Sequence, residues 1–288
     1  MNWRKCGLTV AGIAGLVTAV APIAGAAPAQ AEPIEYVALG DSFVSGPLIP
    51  IQESLSCTRS TNNYPHRLAA SLDVAELRDV SCSGAVTDNL YEAQSGNPPQ
   101  IEALDADTDL VTLSLGGNDV GFIDIILNCV TLVPAGTPCQ DTYVVDGVDT
   151  LAATIDAYAP ELDAALQDVR AAAPEAEVLV VGYPALLPES GWGCWPTMAF
   201  APDDVPYLRD SEKHLNAVLA EQAAANGMTY VDLYTPSIGH DACASPLTRY
   251  VEPLVPLALA APVHPNARGM RAAAGTIERE LLGSENRA

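Results

Sequence analysis

The chain has 288 residues, and its 36 acidic and 13 basic side chains give a formal net charge of −23 at pH 7. This excess of negative charge repels nucleic acids and anionic membranes, so neither is an expected partner. The charge identifies no substrate, because it is typical of soluble acidic proteins in general.

The first 31 residues are predicted to be a signal peptide that is cleaved near Ala31. A basic pair, Arg4-Lys5, precedes the apolar stretch Gly7–Ile23, and small residues follow it up to the cleavage site. A membrane anchor is the alternative, but the stretch is short and rich in glycine and alanine, and no second span follows it. We therefore expect a secreted protein without a stable membrane span.

Short apolar runs alternate with helical patterns along the remaining chain. In chain order, the predicted strands are Tyr36–Leu39, roughly Ala75–Val80, Asp109–Leu115, Glu177–Gly182 and Thr229–Leu233. The predicted helices are Asn63–Leu72, Thr150–Ala173, Tyr207–Asn226 and His264–Leu282. Apolar strands separated by helices indicate a parallel sheet covered on both faces, so we expect one α/β domain over residues 32–288.

Six cysteines remain when Cys6 is removed with the signal peptide, and they are Cys57, Cys82, Cys129, Cys139, Cys194 and Cys243. An even set in an exported chain indicates three disulfides, for which 15 connectivities are possible. Sequential pairing is the simplest local choice among them. A zinc site is the alternative, and it is disfavoured because no CxxC or HxxxH spacing accompanies the cysteines.

A serine follows directly on the first predicted strand, in Gly40-Asp41-Ser42. Open α/β sheets bind ligands at the carboxyl ends of their strands, and glycine permits the tight turn that presents a hydroxyl there. By itself this tripeptide is a common turn sequence. Gly84, which follows the second strand, is by itself equally compatible with an ordinary loop.

Gly116-Gly117-Asn118-Asp119 ends the third predicted strand, at the same edge of the sheet. Glycines allow the backbone to approach a substrate, and an asparagine amide together with backbone N–H groups can hold a developing oxyanion. The alternative is that Asn118 or Asp119 caps the next helix. Near the C-terminus, His264 stands at the start of the last predicted helix, where its imidazole is placed to accept a proton from a serine.

In this order, Gly40-Asp41-Ser42, Gly84, Gly117-Asn118-Asp119 and His264-Pro265 resemble the four sequence blocks of the SGNH, or GDSL, hydrolases. The similarity extends over almost the whole mature chain and is greatest to secreted actinobacterial lipases and phospholipases with three sequential disulfides. It implies a three-layer α/β/α sandwich around a parallel sheet of about five strands. It also implies the disulfides Cys57–Cys82, Cys129–Cys139 and Cys194–Cys243.

The resemblance assigns the nucleophile to Ser42 and the general base to His264. It assigns the oxyanion hole to the N–H groups of Ser42 and Gly84 and the side chain of Asn118, and it implies neither a metal nor a cofactor. Many members of the family carry an aspartate three residues before the histidine, where this chain has Ala261.

A neutral residue at that position predicts a dyad rather than a triad. We expect a main-chain carbonyl, from Ala261 or Pro262, to orient His264. A carboxylate from further upstream is the alternative, and Asp241 and Glu252 are the nearest candidates.

The function implied by the resemblance is hydrolysis of carboxylic esters, and two apolar loops favour lipid or other apolar acyl esters. Long loops in a compact domain are usually functional. Residues 185–206 and 245–263 are rich in large apolar side chains, namely Trp192, Trp195, Met198, Phe200, Leu247, Tyr250, Leu254, Val255, Leu257 and Leu259. These loops are expected to line an acyl groove, unless they only pack over the sheet or support a disulfide.

Two other functions stay open. A carbohydrate esterase that removes acetyl groups is the first, although such an enzyme would need a shallow and more polar cleft. A non-catalytic binding module on the same fold is the second, and the retention of a serine, an asparagine and a histidine in the expected order disfavours it. A monomer is the default expectation for the oligomeric state.

Overall fold

The computed structural model describes residues 34–285, so the predicted signal peptide lies outside the described residues. Its central sheet contains β1 (Glu35–Gly40), β4 (Glu76–Asp79), β5 (Leu110–Ser114), β8 (Glu177–Val181) and β9 (Thr229–Val231). All neighbouring strands run parallel, in the order β4-β1-β5-β8-β9. Two short antiparallel ribbons pair β2 (Gln52–Ser54) with β3 (Arg59–Ser60) and β6 (Val144–Val145) with β7 (Val148–Asp149).

Helices cover both faces of this sheet. They are α1 (Ser42–Ser45), α2 (Tyr64–Ser71), α3 (Phe122–Cys129), α4 (Pro138–Tyr143), α5 (Thr150–Ala172), α6 (Val205–Ala225), α7 (Tyr234–Ser237) and α8 (Ala267–Glu285). The four predicted helices correspond to α2, α5, α6 and α8. The helices α1, α4 and α7 were not predicted, because four to six residues give too little periodicity to recognise. The longer α3 was also missed.

Alternate strand residues pack against the two helix layers. Along β1, Val37 and Leu39 belong to the core shared with α5 and α6, whereas Tyr36 and Ala38 belong to the core shared with α2 and α8. Because both faces are buried, the strands are nearly continuous apolar runs. The predicted three-layer α/β/α sandwich with a five-stranded parallel sheet is therefore confirmed.

The six cysteines form three sequential disulfides, Cys57–Cys82, Cys129–Cys139 and Cys194–Cys243. Their sulfurs are thus bonded to one another and offer no thiolate ligands for the zinc site considered above. The third disulfide joins the apolar loop that follows β8 to Cys243, which lies just before the second apolar loop. Among residues 34–285, no helix combines the length and apolar composition needed to cross a membrane.

The carboxyl ends of the parallel strands meet at one edge of the sheet, which is where such folds bind ligands. Ser42 follows β1, Gly84 follows β4, Asn118 follows β5, and His264 lies in the long segment after β9. The topology therefore brings the predicted site residues to a single edge.

Candidate active site

Ser42 occupies the first position of α1, immediately after β1. The Asp41 side chain accepts a hydrogen bond from the Phe43 N–H at 2.8 Å, and the Asp41 N–H donates to the Ser114 carbonyl at 3.1 Å. Gly40 has a φ of +149°, and a Cβ there would collide with Val44 and lie 2.6 Å from the Ser114 carbonyl oxygen. Glycine is thus required where β1 turns into α1, and the turn holds Ser42 at the sheet edge.

His264 lies beside Ser42, with its Nε2 atom 2.8 Å from the serine Oγ. Its Nδ1 atom is 2.6 Å from the Pro262 carbonyl oxygen. A carbonyl can only accept a hydrogen bond, so Nδ1 carries the proton and Nε2 is free to accept the Ser42 hydroxyl proton. The geometry therefore selects the imidazole tautomer that can act as a base toward serine.

Two aromatic rings enclose the imidazole. The Phe43 ring lies 5.0 Å from it, and the Phe122 ring meets it edge-on at 5.9 Å. Burial in these surroundings lowers the pKa of His264 below its ordinary value, and the hydrogen bond to Pro262 opposes part of this effect. Burial thus favours the neutral, proton-accepting imidazole.

The predicted carboxylate alternatives do not contact His264. Among residues 34–285, no acidic side chain forms a hydrogen bond or ion pair with its imidazole. Asp241 accepts the Cys243 N–H at 2.9 Å, and the buried Glu252 pairs with Arg249 at 2.7 Å. The acceptor at Nδ1 is the Pro262 carbonyl and not that of Ala261, whose N–H donates to Pro47.

His264 lies in a turn that precedes α8, and not in the helix itself. The predicted helix start at His264 is wrong, because the Asn266 side chain caps α8 by accepting the N–H groups of Arg268 and Gly269 at 2.9 and 3.1 Å. Val263 has a φ of +58°, which is a strained left-handed conformation for a β-branched residue. The His264 carbonyl accepts the Glu252 N–H at 2.9 Å, which ties this turn to the preceding loop.

Hydrogen bonds between the loops place the three predicted oxyanion donors, Ser42, Gly84 and Asn118, near one another. The Asn118 amide donates to the Ala85 carbonyl at 2.9 Å, which places it next to Gly84. Gly84 is held near β1 by the Cys82 N–H, which donates to the Gly40 carbonyl at 2.9 Å. Within residues 34–285, the N–H groups of Ser42 and Gly84 have no protein acceptor. The structure therefore brings together two free backbone donors and one oriented amide.

Asn118 does not cap the next helix. The residue in front of α3 is Gly121, whose N–H donates to the Asn118 carbonyl at 3.0 Å. Asp119 instead accepts the Thr87 N–H at 2.7 Å and connects the β5 turn to the loop after β4. The helix-cap alternative for both residues is therefore wrong.

Tyr183, which sequence reasoning missed, connects the turn at Asp41 to the turn at Gly117. Its hydroxyl donates to Asp41 at 2.7 Å and accepts the Gly117 N–H at 2.8 Å. The side chain of Asn216 holds the Tyr183 backbone through two hydrogen bonds of 2.8 and 3.0 Å. Burial raises the pKa of Asp41 to about 7. Nothing in the sequence around Tyr183 signals this role, since it depends on three strand ends being adjacent.

An apolar cavity of about 90 Å³ adjoins the site. Phe43, Gly117 and Val263 line it near the site, and residues of α3, α5, α6 and the loop after β8 line much of the rest. Glu212 also borders the cavity, and burial holds the pKa of its carboxyl well above the usual range, which favours its uncharged form. A larger cavity of about 210 Å³ lies against α8 and is bordered by Arg271, among other residues.

The two apolar loops divide between these environments. Met198 and Phe200 are buried and line the 90 Å³ cavity. Six other side chains of these loops are exposed and line neither cavity. Four of them are 66–73% exposed, namely Trp192, Val255, Leu257 and Leu259, and the other two are Leu247 and Trp195. These loops therefore form only part of the lining of the apolar cavity, and α3, α5 and α6 supply much of the remainder.

Comparison with known proteins places this geometry in a family context. A model described as the GDSL-like Lipase/Acylhydrolase family matches residues 38–272. Lipase 2 of Streptomyces coelicolor is 45% identical over 258 residues, which cover 86% of this chain and 86% of that protein.

Two solved structures share the fold over nearly their full length. The crystal structure of phospholipase A1 from Streptomyces albidoflavus has a TM-score of 0.73 and 29% identity, covering 86% of this chain and 99% of that chain. The crystal structure of an extracellular lipase from Streptomyces rimosus has a TM-score of 0.72 and 28% identity, covering 85% and 99% respectively.

Proposed function

We propose that Ser42 and His264 form the catalytic dyad of this chain, which belongs to the GDSL-like lipase/acylhydrolase family and is a carboxylic ester hydrolase. The observation that carries the proposal is the distance of 2.8 Å between His264 Nε2 and Ser42 Oγ, in a tautomer set by the Pro262 carbonyl. The family resemblance predicted from the sequence is confirmed by the match over residues 38–272.

The dyad would work by acyl transfer through an acyl-enzyme. His264 Nε2 takes the hydroxyl proton while Ser42 Oγ attacks the ester carbonyl, and the resulting oxyanion faces the N–H groups of Ser42 and Gly84 and the Asn118 amide. His264 then returns the proton to the departing alkoxide oxygen, which leaves as an alcohol. Water deprotonated by His264 attacks the acyl-enzyme, and release of the carboxylic acid restores the Ser42 hydroxyl.

The substrates we propose are lipid or other apolar acyl esters. The cavity of about 90 Å³ supports this, since its apolar lining begins at residues adjacent in sequence to Ser42, Asn118 and His264. The larger cavity is less suited to an alkyl chain, because Arg271 and Arg279 border it. The named phospholipase A1 and lipase relatives act on esters of this class, which supports the same choice.

A series of p-nitrophenyl esters from acetate to palmitate tests this preference. We expect kcat/KM to rise with acyl length beyond acetate, because each methylene buried in an apolar site contributes about 0.8 kcal/mol. Activity on acetate alone would instead support the carbohydrate esterase alternative. Absence of turnover on every ester would contradict the enzymatic proposal and support a binding module.

Secretion is part of the proposal, with residues 1–31 as the export signal and residues 32–288 as one catalytic domain. Three disulfides support it, because such bonds persist in oxidising compartments, and the related Streptomyces rimosus lipase is described as extracellular. N-terminal sequencing of protein recovered from the culture medium should begin at or near Glu32. Retention of the first 31 residues on the recovered protein would contradict it.

Replacing Asn118 with alanine should lower kcat by roughly 10²–10³-fold while KM changes little, since an oxyanion donor acts mainly in the transition state. Steady-state kinetics on one soluble ester measure both constants. Asn128→Ala, on the exposed side of α3, is the matched control and should leave both unchanged. A rise in KM at constant kcat would identify Asn118 as a substrate-binding residue instead.

The pH profile of kcat/KM should place its acidic limb below pH 6.5. The lowered pKa of His264 keeps the imidazole neutral, and therefore able to accept the serine proton, at pH values where an exposed histidine is already protonated. Activity should fall only when the pH drops through that lowered pKa. The pKa of Asp41 is about 7, so the profile of Asp41→Asn distinguishes the two groups. A limb near pH 7 that disappears in Asp41→Asn would show that His264 does not set it.

A further inference from the structure

Several large apolar side chains are exposed in the segments next to the proposed active site. Six of them define what we call the apolar rim, namely Leu48, Ile51, Ile123, Leu127, Leu257 and Leu259, and they are 52–73% exposed. They belong to three segments that follow the carboxyl ends of β1, β5 and β9. On soluble proteins, larger exposed apolar patches mark sites that bind proteins, membranes or ligands.

Contacts in the structure place the three segments together around Ser42 and His264. The Ala261 N–H donates to the Pro47 carbonyl at 3.0 Å, which joins the loop of Leu257 and Leu259 to the loop of Leu48. The Phe122 ring at the start of α3 lies 5.7 Å from the Phe43 ring and 5.9 Å from His264. The rim therefore borders the dyad on the α1, α3 and histidine-loop sides.

Helix α3 is apolar on two sides, which a helix at a purely aqueous surface would not be. On its inner side, Phe122, Ile125 and Ile126 line the apolar cavity. On its outer side, Ile123 and Leu127 are 52% and 68% exposed. Apolar surface thus continues from the rim across α3 to the cavity, and this is the path that an acyl chain would follow from a lipid layer.

Charge selects the kind of surface that fits the rim. Residues 47–52 and 253–263 contain no charged side chain, and α3 contains only Asp124. With no lysine or arginine in these segments and a net charge of −23, the rim has nothing to attract anionic head groups. An uncharged or zwitterionic lipid surface can instead be contacted without separating or desolvating fixed charges.

We propose that the apolar rim is a docking surface for a zwitterionic or uncharged lipid–water interface, which delivers the ester of a lipid to Ser42. This inference rests on the proposed function and extends it from the acyl chain to the aggregated state of the substrate. The rim residues contact the lipid layer and not the reacting atoms. They govern binding to the interface and leave the hydrolysis of dissolved esters unaffected.

Co-sedimentation with phosphatidylcholine vesicles tests the proposal. The Ser42→Ala variant serves as the background so that no lipid is hydrolysed during the measurement. Adding Leu127→Glu and Leu259→Glu should weaken vesicle binding by at least about tenfold, because a leucine side chain transferred from water to lipid contributes the free energy of roughly that factor. Leu282→Glu is the matched control, since Leu282 is 49% exposed on α8 and lies roughly 22 Å along the helix from its first residue.

A second assay distinguishes failure of the docking proposal from failure of the proposed function. It measures turnover of p-nitrophenyl butyrate below its solubility limit, with Ser42 intact. The Leu127→Glu/Leu259→Glu pair should keep the kcat/KM of the otherwise unchanged enzyme on this dissolved ester. Turnover without any binding to phosphatidylcholine vesicles would overturn the docking proposal alone. Vesicle binding without turnover of any ester by the unchanged protein would overturn the proposed function and leave docking standing.

Three further outcomes would also overturn the docking proposal. Stronger binding to phosphatidylglycerol than to phosphatidylcholine vesicles would show that the occupant is an anionic surface. Sedimentation equilibrium tests whether the protein is a dimer that dissociates in the Leu127→Glu/Leu259→Glu variant. Such a dissociation, together with unchanged vesicle binding, would identify the rim as a contact between copies of this chain. Equal loss of binding in Leu282→Glu would show that the effect of added charge is not specific to the rim.

Discussion

Replacement of Ser42 by alanine is expected to lower kcat by roughly 10⁶-fold, the loss seen when the nucleophile of a serine hydrolase is removed. The reason is that the acyl-enzyme cannot form without Oγ, which is the atom that His264 Nε2 contacts at 2.8 Å. Steady-state turnover of a soluble ester measures the loss. An organophosphonate should label Ser42 alone in the unmodified enzyme, because only a serine activated by a base attacks it quickly.

Ser45 provides the matched control for this experiment. It is buried on the same short helix, and its hydroxyl shares a hydrogen bond of 2.9 Å with Ser83 rather than with a base. Ser45→Ala should therefore retain labelling and turnover. Labelling at a serine other than Ser42, or substantial turnover by Ser42→Ala, would show that the nucleophile has been misassigned.

Replacement of His264 by alanine should have a similar effect, whereas neutralising the nearest acids should not. His264→Ala is expected to lower kcat by roughly 10⁶-fold, because base and nucleophile act as a unit. Asp241→Asn should keep most of the activity, because asparagine can still accept the Cys243 N–H that Asp241 holds at 2.9 Å. The result would distinguish a dyad oriented by the Pro262 carbonyl from a triad completed by a carboxylate.

Glu252→Gln is the more demanding comparison, because this residue has a structural role. Breaking a buried ion pair typically costs roughly 3–5 kcal/mol, so the free energy of unfolding should fall when Glu252 no longer neutralises Arg249. The folded fraction should nevertheless retain its kcat, since the Glu252 carboxylate contacts Arg249, Asn266 and the backbone rather than His264. Circular dichroism during urea unfolding measures stability separately from activity. Collapse of kcat in a folded Glu252→Gln or Asp241→Asn protein would establish a hidden triad.

The architecture and the order of the site motifs could be predicted from the amino-acid sequence alone. Five apolar runs separated by helical patterns are sufficient to predict a parallel sheet covered on both faces, because strands that are apolar throughout must be buried on both faces. The position of Ser42 directly after β1 and of Asn118 shortly after β5 followed from the same pattern. Family resemblance then supplied the roles of Gly84 and His264, which periodicity alone left open.

Features that depend on distances between segments far apart in the chain could be read only from the folded protein. The choice of the Pro262 carbonyl over that of Ala261 depends on the turn at Val263, with its φ of +58°, which local sequence preferences would not predict for valine. Tyr183 could not be found from its neighbours, because it acts only where the ends of β1, β5 and β8 meet.

The apolar loops show the same division between composition and position. Their content of tryptophan, leucine and phenylalanine was evident from the sequence, but hydrophobicity does not specify whether a side chain faces a cavity or solvent. Phe200 is buried against the cavity and Leu257 is exposed on the rim, although both belong to loops of similar composition. Periodic segments reveal their buried face because their geometry repeats, whereas the direction of an irregular loop is set by long-range contacts such as the Cys194–Cys243 disulfide.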